Sequence, residues 1–591
     1  MRRLALAVLL YALAAMPASA LDRNAFTFTR YDLHLSLDPH QHALAVEGTV
    51  ELRNISKLPQ REAVLQLSSS LQWLAIRASD GTALEWLAQT YTSDIDHTGL
   101  LNEAIVKSAA PIAPGATLTL QVRYSGTVQK DTSRLERIGT PADVAMRSDW
   151  DEISDNFTAL RGAGFVVWYP VSMDAANLAQ GNELFETLRN WRDREASAVL
   201  RLQLSPLPAP SDDNSKFNFV TNASETAEGA ATTQVFRGVD PVIVLLSDAA
   251  SVTDRPHVSA YFTAAHTEFA RDYITAAESV IPPLELWFGS IRRKVVLVEL
   301  TDPNALPYNL GSYYFVPMRN VQHAAAEVAL ARPVLHAMFD SPRPWVSEGL
   351  AGFAQALVRE RQAGRRAALD YLSQFRSALA VAEAQSHSPV TSSEDTSGYS
   401  TSAAPPTAPA PPGIGLQPLV TTSDEIFLRT KAAYVWWMLR DIAGDRALQS
   451  ALSRYRPAED RDTGYVQRLL EERLSPKRDL EPFFDDWVYR DRGLPRFQAD
   501  SAFVRTTLGG ETITAVTVEN LSDVWCEIPV SVRSATSESV QRLALPANGK
   551  ATVRVPFGPN PKEAVINDGS VPESDPGVHI LPATSTPPSE P

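Results

Sequence analysis

The chain has 591 residues, room for roughly four domains of about 150 residues each. With 44% apolar and 21% charged residues and a single cysteine, Cys526, it has the composition of a globular protein with large cores, which excludes a disordered chain or a small disulfide scaffold. A formal net charge of −15 argues against a nucleic-acid partner, because polyanion binders present a basic face.

Residues 1–20 read as a secretory signal peptide. Arg2-Arg3 supply the basic start, "LALAVLLYALAAM" the apolar run, and Ala18-Ser19-Ala20 the cleavage site. An uncleaved anchor is the competing reading, but the run is short for a span of about 20 residues. No later run is apolar enough to cross a bilayer, so the mature chain is expected to be exported, periplasmic or extracellular, without a membrane span. From 21 to 245, short alternating runs separated by turn residues predict an all-β domain. Residues 28–53 read as a hairpin turning at Asp38-Pro39, with further runs at 62–77, 117–127 and 197–205. "GFVVWYPV" (164–171) reads as an aromatic strand within it.

Near 255 the pattern changes. "HVSAYFTAAHTEFARDYITAAESVI" has helical periodicity and is expected to stop at Pro282-Pro283. "KVVLVEL" (294–300) reads as a buried strand and "GSYYFVPM" (311–318) as another, with Pro317 favouring an edge. Helical pattern follows over 321–339 and 345–382. Residues 386–418, rich in Ser, Thr, Ala and Pro, read as a flexible linker. Helices resume at 424–455 and run to about 490. Alternation returns in "TITAVTVEN", "EIPVSVRSA", "VQRLALPA" and "KATVRVPF", predicting a β-sandwich at 495–570. The Pro- and Ser-rich tail, 571–591, reads as disordered, and its "LPATS" lacks the features of a sorting signal. Cys526, in a strand-like run, reads as a buried apolar residue.

The chemistry concentrates in "RPVLHAMFDSPRPWVSEGLAGF" (332–353). A zinc peptidase needs a Lewis acid, a general base and an oxyanion donor. H-E-x-x-H supplies two ligands on one helical face with the base between them, and a third ligand follows. Here His336 is the second His of such a frame, and Glu348 opens the next helix.

With these motifs the chain resembles the aminopeptidase N family of gluzincin zinc peptidases. "RTKAAYVWWMLRDIAGDRALQSALSRY" and "LEPFFDDWVYRDRGLPRF" extend the resemblance over nearly the whole mature chain. It implies a multidomain α+β fold: a β-rich N-terminal domain (21–245), a thermolysin-like α/β domain (246–385), the linker, a helical remainder of the peptidase domain (419–494), and an Ig-like β-sandwich. Carried over by position, the catalytic machinery is mostly missing. The family's first zinc His falls on Arg332, its general-base Glu on Pro333 and its oxyanion Tyr on Arg429. Only His336 and Glu348 match metal ligands, and no Glu stands near "GSYYFVP" to hold a substrate amine.

Local physics agrees with the losses. Pro333 in a helix interior removes a backbone hydrogen bond, which predicts a kink or a late start. Glu348 is expected either to cap its own helix or to pair with Arg332. His336 reads as a core histidine or a metal ligand. His323 and Glu327, one turn apart, are too far along the helix to share a metal with His336, and Tyr434 reads as a core residue. The expectation is an exported, catalytically impaired pseudopeptidase that binds a peptide or protein in its cleft or acts as a scaffold, without a cofactor. The alternatives are an active zinc peptidase with non-standard ligands, and a non-proteolytic enzyme using the same cleft.

Overall fold

The computed structural model describes residues 21–155, 157–206, 218–226, 233–246, 250–387, 415–506, 512–558, 560–575 and 579–584. The expected leader, nearly all of the 386–418 linker and the end of the tail lie outside them. The chain is a mixed α+β protein with several sheets, and it divides into two units, Met1–Asp248 and Ala249–Pro591.

In the first unit the alternation at 28–53 becomes a hairpin, with Phe26–Asp38 antiparallel to Ala43–Asn54. Tyr31, Leu33, Leu35 and Leu37 are buried on one face. The polar residues between them take the other face, as a period of two requires. Strand Thr117–Thr127 extends the sheet beyond one partner, and Val199–Pro206 adds in parallel beyond the other.

Two expectations fail here. The unit is not all-β, because helix Glu183–Arg194 lays Leu184, Leu188 and Trp191 into its core at helical spacing. Residues 164–171 are not a strand but a buried irregular segment. The backbone N–H of Val167 donates to Asp96 Oδ1 at 2.8 Å, the Val167 carbonyl accepts from the Ser68 N–H, and Val171 makes an isolated bridge to Gln66. The apolar composition there reports burial of Val166, Val167, Trp168 and Tyr169, not ladder pairing.

The second unit opens with a five-stranded sheet. Val258–Thr263, Val295–Glu299 and Tyr313–Val316 run parallel to one another, flanked by Ala250–Asp254 and Tyr308–Leu310. Tyr313–Val316 is therefore internal, and Pro317 falls just past its end instead of marking an edge. Helix Thr267–Phe288 runs through Pro282 and Pro283 instead of stopping there. Leu284, Trp287 and Phe288, beyond the prolines, are all buried. Burying each is worth about 1.5–3 kcal/mol, together of the same size as the roughly 6 kcal/mol that two interior prolines cost at ~3 kcal/mol each.

Helix His323–Met338 likewise continues across Pro333, with Val334, Leu335 and Met338 fully buried around it, so the helix neither starts late nor ends there. The segment Pro344–Ser373 follows as two helices meeting at a kink where Ala363 and Gly364 leave helical geometry, then helix Arg376–Ser386, and a π-helical turn Phe427–Lys431 leading into helix Ala432–Ala443.

The C-terminal alternation forms two sheets. Phe497–Thr506, Thr512–Asn520 and Lys550–Phe557 make one, and Glu538–Leu545, Cys526–Arg533, Glu563–Ile566 and His579–Pro582 the other. Val516, Val518 and Val555 from the first share a core with Val530, Val532 and Ile566 from the second. Cys526 is buried there. The tail departs from expectation. Val571 is buried, and His579–Pro582 pairs antiparallel with Glu563–Ile566. That pairing satisfies backbone groups a Pro-rich composition had suggested would stay in water.

Candidate functional site

Three helical segments bring the charged residues together. Arg332 and His336 are four apart on helix His323–Met338 and so share one face. Pro344, at the first turn of the next helix, fixes its start one turn before Glu348. The π-helical turn Phe427–Lys431 carries Arg429. Two glycines allow the close approach. A Cβ on Gly349 would lie 2.7 Å from the Ala432 Cβ, and one on Gly352 would lie 2.8 Å from the Ala433 Cβ and 3.0 Å from the Arg429 carbonyl oxygen.

Glu348 is the centre of this arrangement. Its Oε2 accepts a hydrogen bond from Arg332 Nη1, its Oε1 lies 3.5 Å from His336 Nε2, and Arg429 Nε stands 3.7 Å from Oε2. Glu348 therefore pairs with Arg332 and does not serve chiefly as a cap. Burial alone would push its carboxyl up. The His336 contact and the Arg332 and Arg429 charges outweigh that and hold it well below the usual carboxylate range. Arg332 is almost fully buried, whereas Arg429 is half-exposed and also pairs with Glu425, one turn before it.

This donor set does not fit a zinc ion. Zinc takes four donors in a structural site and three protein donors in a catalytic one. The face offers His336 and Glu348, and Arg332 is already on the carboxylate. A divalent ion about 5 Å from a guanidinium would be repelled by about 6–7 kcal/mol at an effective dielectric near 20. Pro333 has no group that can take a proton. The other sequence candidates lie elsewhere. Glu327 faces His323 at 3.5 Å and accepts from Ser279 Oγ and Gln362 Nε2, both at 2.6 Å. Tyr434 is fully buried in the helical core.

One cluster was not anticipated from sequence. Glu383, His387 and Asp491 bring ligand-type atoms within 4.8 Å of one another. Lys431 already bridges the two carboxylates, with Nζ 2.7 Å from Glu383 Oε1 and 3.3 Å from Asp491 Oδ1. Ser386 Oγ donates to Asp491 at 3.0 Å. A buried ammonium thus supplies the counter-charge a metal would otherwise bring. Glu383 and His387 are four apart at the end of helix Arg376–Ser386, but Lys431 and Asp491 come from two other segments that no spacing ties to that pair.

A cavity of about 380 Å³ adjoins the Glu348 site. Arg332, Arg429, Glu425, Tyr371, Leu372, Phe375 and Ile426 are among its lining residues.

No family model and no curated protein matches this sequence. Among solved structures, the chain is similar to an M1 zinc metallopeptidase from Deinococcus radiodurans at 16% identity, with a TM-score of 0.41 over 80% of this chain and 96% of that one. A mutant M1 zinc metallopeptidase from the same organism gives 16% identity and a TM-score of 0.40, over 77% and 92%. Both overlaps are loose.

Proposed function

We propose that this chain is an exported, aminopeptidase N-like protein in which an internal ion pair has replaced the metal site, leaving a catalytically impaired protein whose cleft binds a peptide or protein. The observation that carries the reading is the Arg332–Glu348 pair: a side-chain cation sits on the carboxylate that the sequence resemblance would give to zinc. Zinc-dependent peptide hydrolysis needs a polarising cation at the scissile carbonyl, a base for water and a donor to the oxyanion. The positions that would serve hold Arg332, Pro333 and Arg429. A guanidinium bound to Glu348 cannot activate water, and Pro333 cannot accept its proton.

The test is metal analysis of dialysed full-length protein together with an aminopeptidase assay. Sub-stoichiometric zinc and no chelator-sensitive hydrolysis are expected. Arg332→His with Pro333→Glu rebuilds H-E-x-x-H and should gain measurable zinc affinity, with little activity because Arg429 supplies no tyrosine hydroxyl. Near-equimolar zinc in the unaltered protein, or hydrolysis abolished by His336→Ala, would overturn the reading.

A further inference from the structure

We propose that the cavity beside Arg332 and Arg429 receives a carboxylate carried on an apolar body, a chemistry met at the C-terminal residue of a peptide or in a free monocarboxylic acid. The proposal rests on the reading that the cleft binds ligand without cutting it.

Size comes first. At about 380 Å³ the cavity falls within the roughly 300–1,000 Å³ of small-ligand sites. Its lining is divided in character. Leu372, Ile426 and Phe375 form an apolar wall, and Phe375 is 53% exposed despite its ring. An aromatic left in water beside a cavity gains from being covered. Arg332 and Arg429 line the same cavity.

Charge then selects the ligand. Arg332 is matched by Glu348, with one Nη donating to it. The close partner of Arg429 is Glu425. Both are exposed and four residues apart on one helical turn, a kind of pair that holds weakly in water. A ligand carboxylate that displaces Glu425 from Arg429 leaves two guanidinium groups facing Glu348 and the ligand. That balance suits a monoanion. A planar carboxylate matches the guanidinium fork of Arg429 while its apolar substituent lies against Leu372, Ile426 and Phe375. A ligand amine would meet two guanidinium groups, so the charge at this cavity is the reverse of one that grips an amino terminus.

The experiment titrates full-length protein at neutral pH by calorimetry with three probes: N-acetyl-Ala-Phe with a free carboxylate, the same dipeptide as its C-terminal amide, and octanoate. Acetylation blocks the amine, so an aminopeptidase could not consume the peptide, and binding stays readable even if the protein proves to hold zinc. The free acid should bind at least about ten-fold more tightly than the amide, the difference expected of one charge-assisted contact. Arg429→Gln should bring the acid down to the amide's level, with the near-ultraviolet circular dichroism unchanged to show that the fold is retained, since Arg429 is half-exposed. Octanoate matching the peptide acid would point to free acids as the source; binding of the peptide alone would point to chain ends. Equal binding of acid and amide, no binding of either acid at millimolar concentration, or an acid affinity unmoved by Arg429→Gln would each overturn the proposal while leaving the metal-site reading intact.

Discussion

Glu348 and Glu383 are both carboxylates set beside basic side chains in the second unit, yet their surroundings drive them in opposite directions. Glu348 has three basic neighbours and stays ionised far into acid. Glu383 is 4% exposed. Its burial, helped by Asp491 close by, outweighs Lys431 and pushes its carboxyl up to about 7. Two buried carboxylates share one buried ammonium, so below about pH 7 Glu383 keeps a proton, while Asp491, held by Lys431 and by the Gln417 N–H against its own burial, is the one that ionises. The sign follows by linkage. A carboxyl raised above its unfolded value stabilises the fold fully below about pH 4.5 and loses that contribution as pH climbs through about 7. Glu383→Gln, which mimics the protonated form, should therefore remove a loss of about 2 kcal/mol between pH 5 and 7.5. Urea unfolding of both proteins at the two pH values measures it. A difference between them that does not change with pH would mean that Glu383 is ionised throughout.

At the scale of elements, the helix contact that places Arg429 beside Glu348 depends on Gly352. A methyl there meets the Ala433 Cβ at 2.8 Å and the Arg429 carbonyl oxygen at 3.0 Å, and neither is the end of a flexible side chain. Gly352→Ala gains about 1 kcal/mol of helix propensity but must push the packed helices apart at a cost of about 1–3 kcal/mol. A net loss of about 1 kcal/mol is expected, read as a lower denaturation midpoint with unchanged slope; a stabilised variant would refute the close-packing account. The same balance of local rule against packing decides what was legible in the sequence. The i, i+4 spacing of Arg332 and His336 and the Pro344 helix start were readable because they are local. The prolines at 282, 283 and 333 misled because their cost is local while the apolar side chains that offset it are buried by distant partners. Arg429 was readable as the occupant of a tyrosine position, but its approach to Glu348 depends on glycine packing that no spacing reveals. The Lys431 cluster was invisible for the same reason.

At the scale of the molecule, the alternation before 245 and the change of pattern near 255 are legible because each unit builds its own core. One cluster runs from Ala25 to Ile243 and another from Val258 to Val571. Buried tryptophans anchor both: Trp168 and Trp191 in the first, Trp345, Trp436, Trp437 and Trp487 in the second. What composition could not tell was that the first core needs helix Glu183–Arg194 to cover it, or that the tail adds a strand to the last sheet. A core closed within one unit should suffice for independent folding. A fragment covering 21–248 is therefore expected to unfold in a single cooperative transition, because apolar burial sufficient to offset chain entropy lies inside it. At about 0.7 kcal/mol per residue, its calorimetric enthalpy near 60 °C should reach roughly 160 kcal/mol. Its near-ultraviolet circular dichroism should be structured, since Trp168 and Tyr169 pack edge to face at 5.0 Å between ring centroids. A fragment that unfolds without a heat-absorption peak, or gives a flat near-ultraviolet spectrum, would show that this core is completed only by the rest of the chain.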